Sequence, residues 1–202
     1  MSVQFAAPNV LDPHWRDAVL GSTTAWLEHA VIGLNLCPFA RAVHAAKRIR
    51  LTVTDATTPE RLVEVLHTEL ELLGAADPAT LETTLLIHPC VLGDFLDYND
   101  FLDVADAVVE EMELDGIIQV ASFHPRYQFD GTGPDDIDNF SNRSPYPTLH
   151  LLREESVERA VAAFGDTSRI FQANIETLRR LGREGWDQLG PDSSAPRRES
   201  DC

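Results

Sequence analysis

The stretch from Arg48 to Pro125 switches repeatedly between a strand period and a helix period, and that alternation leaves few folds open. "RIRLTVTD" (48–55) is a β-branched run ending in a cap. "TPERLVEVLHTELELLG" (58–74) then sets Leu62, Val65, Leu66, Leu70 and Leu73 on one helical stripe. "ETTLLIHP" (82–89) reads as a second strand, "FLDYNDFLDVADAVVEEMELDG" (95–116) as a second helix and "IIQVASFHP" (117–125) as a third strand with a near-continuous apolar run. Strands separated by helices imply right-handed crossovers and a buried, substantially parallel sheet. "TLHLLRE" (148–154) reads as a fourth strand, and "ESVERAVAAFG" and "TSRIFQANIETLRRLGREGW" as two closing helices. The expected fold is α/β, with a three- or four-strand, largely parallel or mixed sheet flanked by helices. Strand order does not follow from the pattern.

On either side of this block the signals weaken. "STTAWLEHAVIGLNL", from Ser22, has a Ser/Thr cap and Trp26, Leu27, Ala30, Val31 and Leu34 at helical spacing, with Gly33 working against its last turn. Residues 1–21, with Pro8 and Pro13, read as an N-terminal extension, 22–186 as a single α/β domain and 187–202 as a disordered polar tail. The 202 residues suffice for one hydrophobic core. A formal charge of −17 repels phosphate backbones and anionic head groups, so nucleic acid and membrane surfaces are not expected partners. With no leader pattern and no apolar run of membrane-spanning length, a cytoplasmic protein is expected. Cys37, Cys90 and Cys202, an odd number at wide spacing, argue for reduced thiols rather than a disulfide framework.

Candidate chemistry lies in three places. The acidic helix carries Asp94, Asp97, Asp100, Asp103, Asp106, Glu110, Glu111 and Glu113, but Tyr98, Phe101, Leu102, Ala105, Val108, Val109 and Met112 fall on the opposite stripe. Its carboxylates are expected to form a wet face. In "NLCPFAR" (35–41), Pro38 suits the first position of a new helix, which would set Cys37 at its N-cap. With Arg41 one turn on, the thiolate would be favoured; the alternative is a buried structural cysteine. The third place is the aperiodic stretch from His124 to Pro147, rich in aromatics and proline, in which Arg143 and Ser144 suit a carboxylate or phosphate. Arg41, Arg126 and Arg143 would either make a local positive pocket or pair with nearby aspartates. Two strands end in the same way, Ile87-His88-Pro89 and Phe123-His124-Pro125. In parallel strands both histidines would stand at the C-terminal edge, where open α/β sheets hold ligands, unless Pro merely ends each strand.

Cys37-Pro38-Phe39-Ala40 is similar to the active-site start of glutaredoxins and omega-class glutathione transferases, where a strand leads into Cys-Pro-Phe; here Ala40 replaces the second cysteine. More broadly, "GLNLCPF", "SFHPRYQF" and "NRSPYPTLHLLRE" resemble the signature segments of a bacterial family, domain of unknown function 1415. That resemblance implies one site containing Cys37, His124, Tyr127, Gln128, Asn142, Arg143 and His150, and no particular reaction.

Three functions are therefore expected in turn. The first is a small enzyme with Cys37 as nucleophile or redox thiol and His124 as base. Tyr127, Gln128, Asn142, Arg143, Ser144 and His150 would hold a small anionic substrate. Transfer, hydrolysis and thiol oxidoreduction are all open to such a site; no resident cofactor is expected, and glutathione or another thiol enters only through the Cys-Pro-Phe likeness. The second is a transition-metal-binding protein with Cys37, His124 and His150 as ligands. The third is a non-catalytic ligand- or partner-binding domain presenting the Pro/Tyr loop. Protein partners are not specified by the sequence.

Overall fold

The computed structural model describes residues 12–164 and 167–189. Helix α1 (Pro13–Trp26) starts with proline at its first position, and the Asp12 carboxylate caps it by accepting from the His14 N–H at 3.0 Å. The helix thus begins well before Ser22, and Val19 and Thr23 are buried, so the folded unit reaches back into the expected extension. The expectation for the polar tail falls almost wholly outside the described residues, although α6 reaches Gln188.

α1 runs into a π-helical segment, Leu27–Ile32, in which Gly33 N–H bonds to Glu28 O at 2.9 Å and Leu36 N–H to Val31 O at 2.9 Å. A Cβ on Gly33 would lie 2.1 Å from the carbonyl oxygen of His29. Gly33 therefore permits the wide turn rather than weakening a regular one. Asn35, at φ 57, ends the run in a left-handed conformation that Asn tolerates.

There follow α2 (Ala40–Ala45), β1 (Ile49–Val53), α3 (Pro59–Ala75), β2 (Thr83–Ile87), α4 (Phe95–Glu111), β3 (Ile118–Phe123), a 3₁₀ helix (Ile137–Asn142), β4 (Thr148–Arg153), α5 (Glu154–Phe164) and α6 (Thr167–Gln188). The sheet order is β1-β2-β4-β3, with β1 parallel to β2 and β4 antiparallel to both β2 and β3. The α/β expectation with a mixed sheet holds. The inserted antiparallel strand explains the mixture: β3 and β4 are joined by a segment with no crossover helix, so the chain returns alongside in the opposite direction.

Each face of the sheet has its own core. Leu86, Ile118, Leu149 and Leu151 meet Leu62, Leu66, Leu70 and Leu73 of α3 and Tyr98, Phe101 and Ala105 of α4. The carboxylates of α4 at Asp97, Asp100, Asp103, Asp106, Glu110 and Glu111 are exposed, as the wet-face expectation requires. On the other face Ile49, Leu51, Leu85 and Phe123 pack with Trp26, Leu27 and Val31, and with Leu178 and Trp186 of α6.

Candidate functional site

Side chains alternate between the faces of a strand, and this parity sorts the candidate residues. Phe123 faces Trp26, with ring centroids 5.1 Å apart in an edge-on contact. The next residue, His124, turns to the opposite face, where its ring packs 5.0 Å from Tyr98 and 5.5 Å from Phe95. Cys37 packs with the Trp26 cluster. Cys37 and His124 are thus on opposite faces of the sheet, and the expected thiol–base pair is not formed. The same separation undoes a Cys37, His124, His150 metal set, and no group of three or more His, Cys, Asp or Glu poised for a metal ion occurs among the described residues.

The repeated His-Pro ends have a shared structural task. His88 Nδ1–H donates to Val91 O at 3.1 Å, His124 Nε2–H donates to Leu92 O at 3.2 Å, and Arg126 Nη2 donates to Gly93 O at 2.7 Å. Three consecutive carbonyls of the turn before α4 are thereby held by three side chains. Leu92 within that turn sits at φ 57, a conformation that costs about 1 kcal/mol or more in a non-glycine residue. The clamp explains how it persists. His124 Nδ1 accepts from the Arg126 N–H at 3.0 Å, which fixes its tautomer. Tyr98, fully buried, stacks on His88 at 5.7 Å; its hydroxyl donates to Thr148 O at 2.9 Å and accepts from Phe123 N–H at 3.1 Å. Burial pushes the Tyr98 phenol up and His88 down to about 4. His88 Nε2 is buried without a partner among the described residues.

The segment after β3 is likewise built inward. Asn139, buried, accepts from Phe129 N–H at 3.0 Å and Thr132 Oγ1 at 2.8 Å and donates to Gly133 O at 2.8 Å. Gln128 donates to Thr132 O at 2.5 Å, Asn142 to Ser122 O at 3.2 Å and Ser144 to Tyr146 O at 2.6 Å. Tyr127 packs between Phe95 and Phe129, at 5.2 and 5.0 Å. Arg143 donates to Tyr127 O at 3.2 Å and to Pro134 O, and its guanidinium lies 4.3 Å from the centre of the Phe140 ring. Burial, and then the like charge of Arg183, lower its pKa. These residues, expected to hold a substrate, hold the loop. The three arginines do not converge either: Arg41 donates to Ile32 O at 2.9 Å, and Arg126 also meets Asp94 at 3.3 Å.

What remains open is a cavity of about 550 Å³ on the other face. Its walls are Trp26, Leu27 and Val31 from the end of α1 and the π-helical segment, Cys37 to Ala40 with Ala42 and Val43 around the start of α2, and Leu85, Ala121, Phe123 and His150 from the sheet. Arg48, Glu82 and Arg159 stand at a polar end, where Glu82 accepts from Arg48 at 2.6 Å and Arg159 at 3.4 Å. No residue from His124 to Pro147 lines this cavity; Pro125, Phe140, Arg143, Ser144 and Pro145 border a cleft of about 30 Å³ with Trp26, Arg183 and Trp186.

Cys37 lies two residues before the cap residue of α2, Phe39; its carbonyl accepts from the Ala40 N–H at 3.2 Å, and the backbone N–H groups of Phe39 and Ala40 act to lower the pKa of its thiol. Burial outweighs their effect and pushes the thiol above its usual range, which weighs against the activated thiolate expected from the sequence. α2, six residues long, is a short helix, and Arg41 points to a carbonyl rather than to sulfur. The segment leading into Cys37 is helical, not the strand that the Cys-Pro-Phe likeness implies. Cys37 is a free thiol, whereas Cys90 is disulfide-bonded, against the expectation of reduced thiols; cysteine number and spacing do not report which side chains meet in space.

His150 is the one expected binding residue that reaches the cavity. Its Nε2 lies 2.8 Å from Thr83 Oγ1, and Thr83 Oγ1 lies 2.6 Å from Leu151 O. The ring stands 5.8 Å from Phe123, and burial lowers its pKa to about 4. Trp26, Thr83 and Ala121 were not singled out from the sequence. A signal existed in "IIQVASF": Gln119 and Ala121, polar or small, alternate with Ile118 and Val120 and leave space on the cavity face.

Among the described residues no helix is long and apolar enough to cross a membrane. No curated protein and no solved structure matches the chain. A family model described as "Protein of unknown function (DUF1415)" matches residues 18–188, nearly the whole described fold, and the chain belongs to that family.

Proposed function

We propose that this protein binds a small molecule with a largely apolar body in the cavity between the sheet and the α1–α2 segment. The observation that supports this is the cavity itself: about 550 Å³, within the range of small-molecule sites, walled by Trp26, Leu27, Val31, Phe39, Leu85 and Phe123 with few polar groups among them. The charge of −17 supports a small molecule over nucleic acid or an anionic membrane surface, and a cytoplasmic setting accords with that reading. Filling the cavity tests it. Ala121→Trp is expected to abolish quenching of tryptophan emission by an apolar fluorophore such as N-phenyl-1-naphthylamine, while unfolding stays cooperative. Saturable one-to-one binding that survives Ala121→Trp would move the site elsewhere.

A second reading keeps an enzyme. Cys37 and His150 line the same cavity, which supports thiol chemistry on a bound ligand with His150, not His124, as the associated base. The raised thiol pKa weighs against it. A covalent adduct on Cys37, found by intact mass after incubation with small thioesters or disulfides and lost in Cys37→Ser, is the result this reading requires.

A further inference from the structure

The hydrogen bonds around Thr83 fix which nitrogen of His150 carries its proton. Leu151 O can only accept, so the single Thr83 hydroxyl proton goes to it across 2.6 Å. Thr83 Oγ1, 2.8 Å from His150 Nε2, must therefore accept, and Nε2 carries the N–H. Nδ1 is then a bare lone pair. It has no hydrogen-bond partner among the described residues, and it is not among the buried atoms left without one, so it retains access from the cavity that the ring lines.

We propose, resting on the reading of this cavity as a binding site, that its ligand carries a neutral hydrogen-bond donor, a hydroxyl or amide N–H, on an apolar body, and that His150 Nδ1 accepts it. The chemistry discriminates twice. A ligand without a donor leaves Nδ1 desolvated and unpaired, and a carboxylate sets its own lone pairs against that of Nδ1. Protonating the ring to meet a carboxylate has to work against burial, which lowers the pKa of the ring to about 4. The arginines bordering the cavity are already engaged: Arg48 and Arg159 pair with Glu82, and Arg153 donates Nη2 to Leu73 O and Ala76 O at the end of α3. Thr83 is a positioning residue: it touches Nε2 and sets the tautomer, and the Leu151 carbonyl in turn sets Thr83.

Three probes of nearly one shape test this: 1-naphthol, 1-methoxynaphthalene and 1-naphthoate, titrated into the purified chain at pH 7 and read by calorimetry. The methoxy compound is the more apolar, so a preference for naphthol cannot come from apolar burial. Wild type is expected to bind naphthol about fivefold or more tighter than methoxynaphthalene, the scale of one net hydrogen bond, and naphthoate weakest. His150→Leu should bind both neutral probes with the naphthol preference gone. Thr83→Val should shrink that preference and Thr83→Ser restore it. The histidine nitrogen shifts of wild type should show an unprotonated Nδ1 that moves upfield when naphthol, but not methoxynaphthalene, is added. Equal binding of the two neutral probes to wild type overturns the assignment and leaves the cavity reading standing, as does a preference that survives His150→Leu. Tightest binding by naphthoate overturns it in favour of an anion. Failure of all three probes to bind overturns the cavity reading and this inference with it.

Discussion

His124 and His150 come from adjacent antiparallel strands but meet opposite environments. His124 sits on the α4 face with Nε2–H given to Leu92 O and Nδ1 taking the Arg126 N–H, so both ring nitrogens are occupied by backbone. His150 spends Nε2–H on Thr83 and leaves Nδ1 open. A histidine with both nitrogens bonded to its own chain organises that chain, whereas one with an unused lone pair in an apolar cavity can meet a ligand. Residue type and position at a strand edge do not separate these cases, but the partner of each nitrogen does.

The largest expected effects come from dismantling the occupied side. His124→Ala removes two hydrogen bonds and an aromatic ring packed on Phe95 and Tyr98. It is expected to cost about 2–4 kcal/mol. Tyr98→Phe strands Thr148 O and the Phe123 N–H and should cost about 1–3 kcal/mol. His150→Leu places an apolar group in an apolar cavity and should change stability by less than about 1 kcal/mol. Urea unfolding midpoints at constant slope measure all three. A large loss in His150→Leu with little in His124→Ala would reverse the comparison.

Acid is the next lever. His88, fully buried, is held neutral with its pKa lowered to about 4 from 6.5, so below the unfolded value the unfolded chain binds the proton that the folded chain refuses. Stability is then complete above about pH 6.5 and falls as pH drops toward 4, by on the order of 3 kcal/mol for this one ring. His150 carries the same lowered value, but it borders a cavity wide enough for water, which softens the cost of charging it. Unfolding free energy measured from pH 7 to pH 4 should lose its slope more in His88→Leu than in His150→Leu. An unchanged slope in His88→Leu would mean that the orphaned Nε2 finds solvent.

Much of this fold was legible in the sequence, for reasons that also mark what was not. The Leu62–Leu73 stripe and the Tyr98–Val109 stripe announce helices that cover one face, and β-branched runs between them announce strands that those helices connect. The place of β4 was not announced by a motif, but a crossover helix is missing after Phe123, and that absence favours an antiparallel return. The site was harder. Pairing Cys37 with His124 follows from the rule that ligands gather at strand ends, which ignores the alternation that turns Phe123 toward Trp26 and His124 toward Tyr98. Parity could be settled only by register, where Ala121 lies opposite His150 and shares its face. The polar residues of the loop looked like binding groups because binding and self-bracing use the same side chains; Asn142 and Arg143 differ from ligand contacts only in what they touch.

Cys37 sharpens the contrast on the open side. Its thiol lies in the cavity wall with a pKa raised by burial, so at pH 7 less of it is thiolate than in an unstructured peptide. Iodoacetamide should modify Cys37 about tenfold or more slowly than a peptide cysteine at pH 7, and an apolar ligand should slow it further. Arg41→Ala should leave the rate unchanged, because that guanidinium is bonded to Ile32 O. Faster reaction than the peptide would restore the activated thiolate.

The smallest expected effect belongs to the acidic helix, where the two readings of a charge run can be weighed directly. Asp103, Asp106 and Glu110 of α4 are exposed and face away from the core formed by Phe101, Ala105 and Val109. Their helix packs against α3 and the far side of the sheet, with the sheet itself between these carboxylates and the cavity. Partial burial and the neighbouring Asp103 charge raise the Asp106 pKa, a sign of mild like-charge repulsion. Changing the three to Asn, Asn and Gln removes that repulsion and three solvated charges, and leaves every bond of the His88–His124 clamp in place. Stability should move by less than about 0.5 kcal/mol, and affinity for 1-naphthol by less than about twofold. Since screening weakens even these effects, repeating the titration at 0.5 M salt should erase them. A tenfold loss of binding with the fold intact would show that α4 communicates with the cavity through the sheet, and the separation of the two faces would have to be given up.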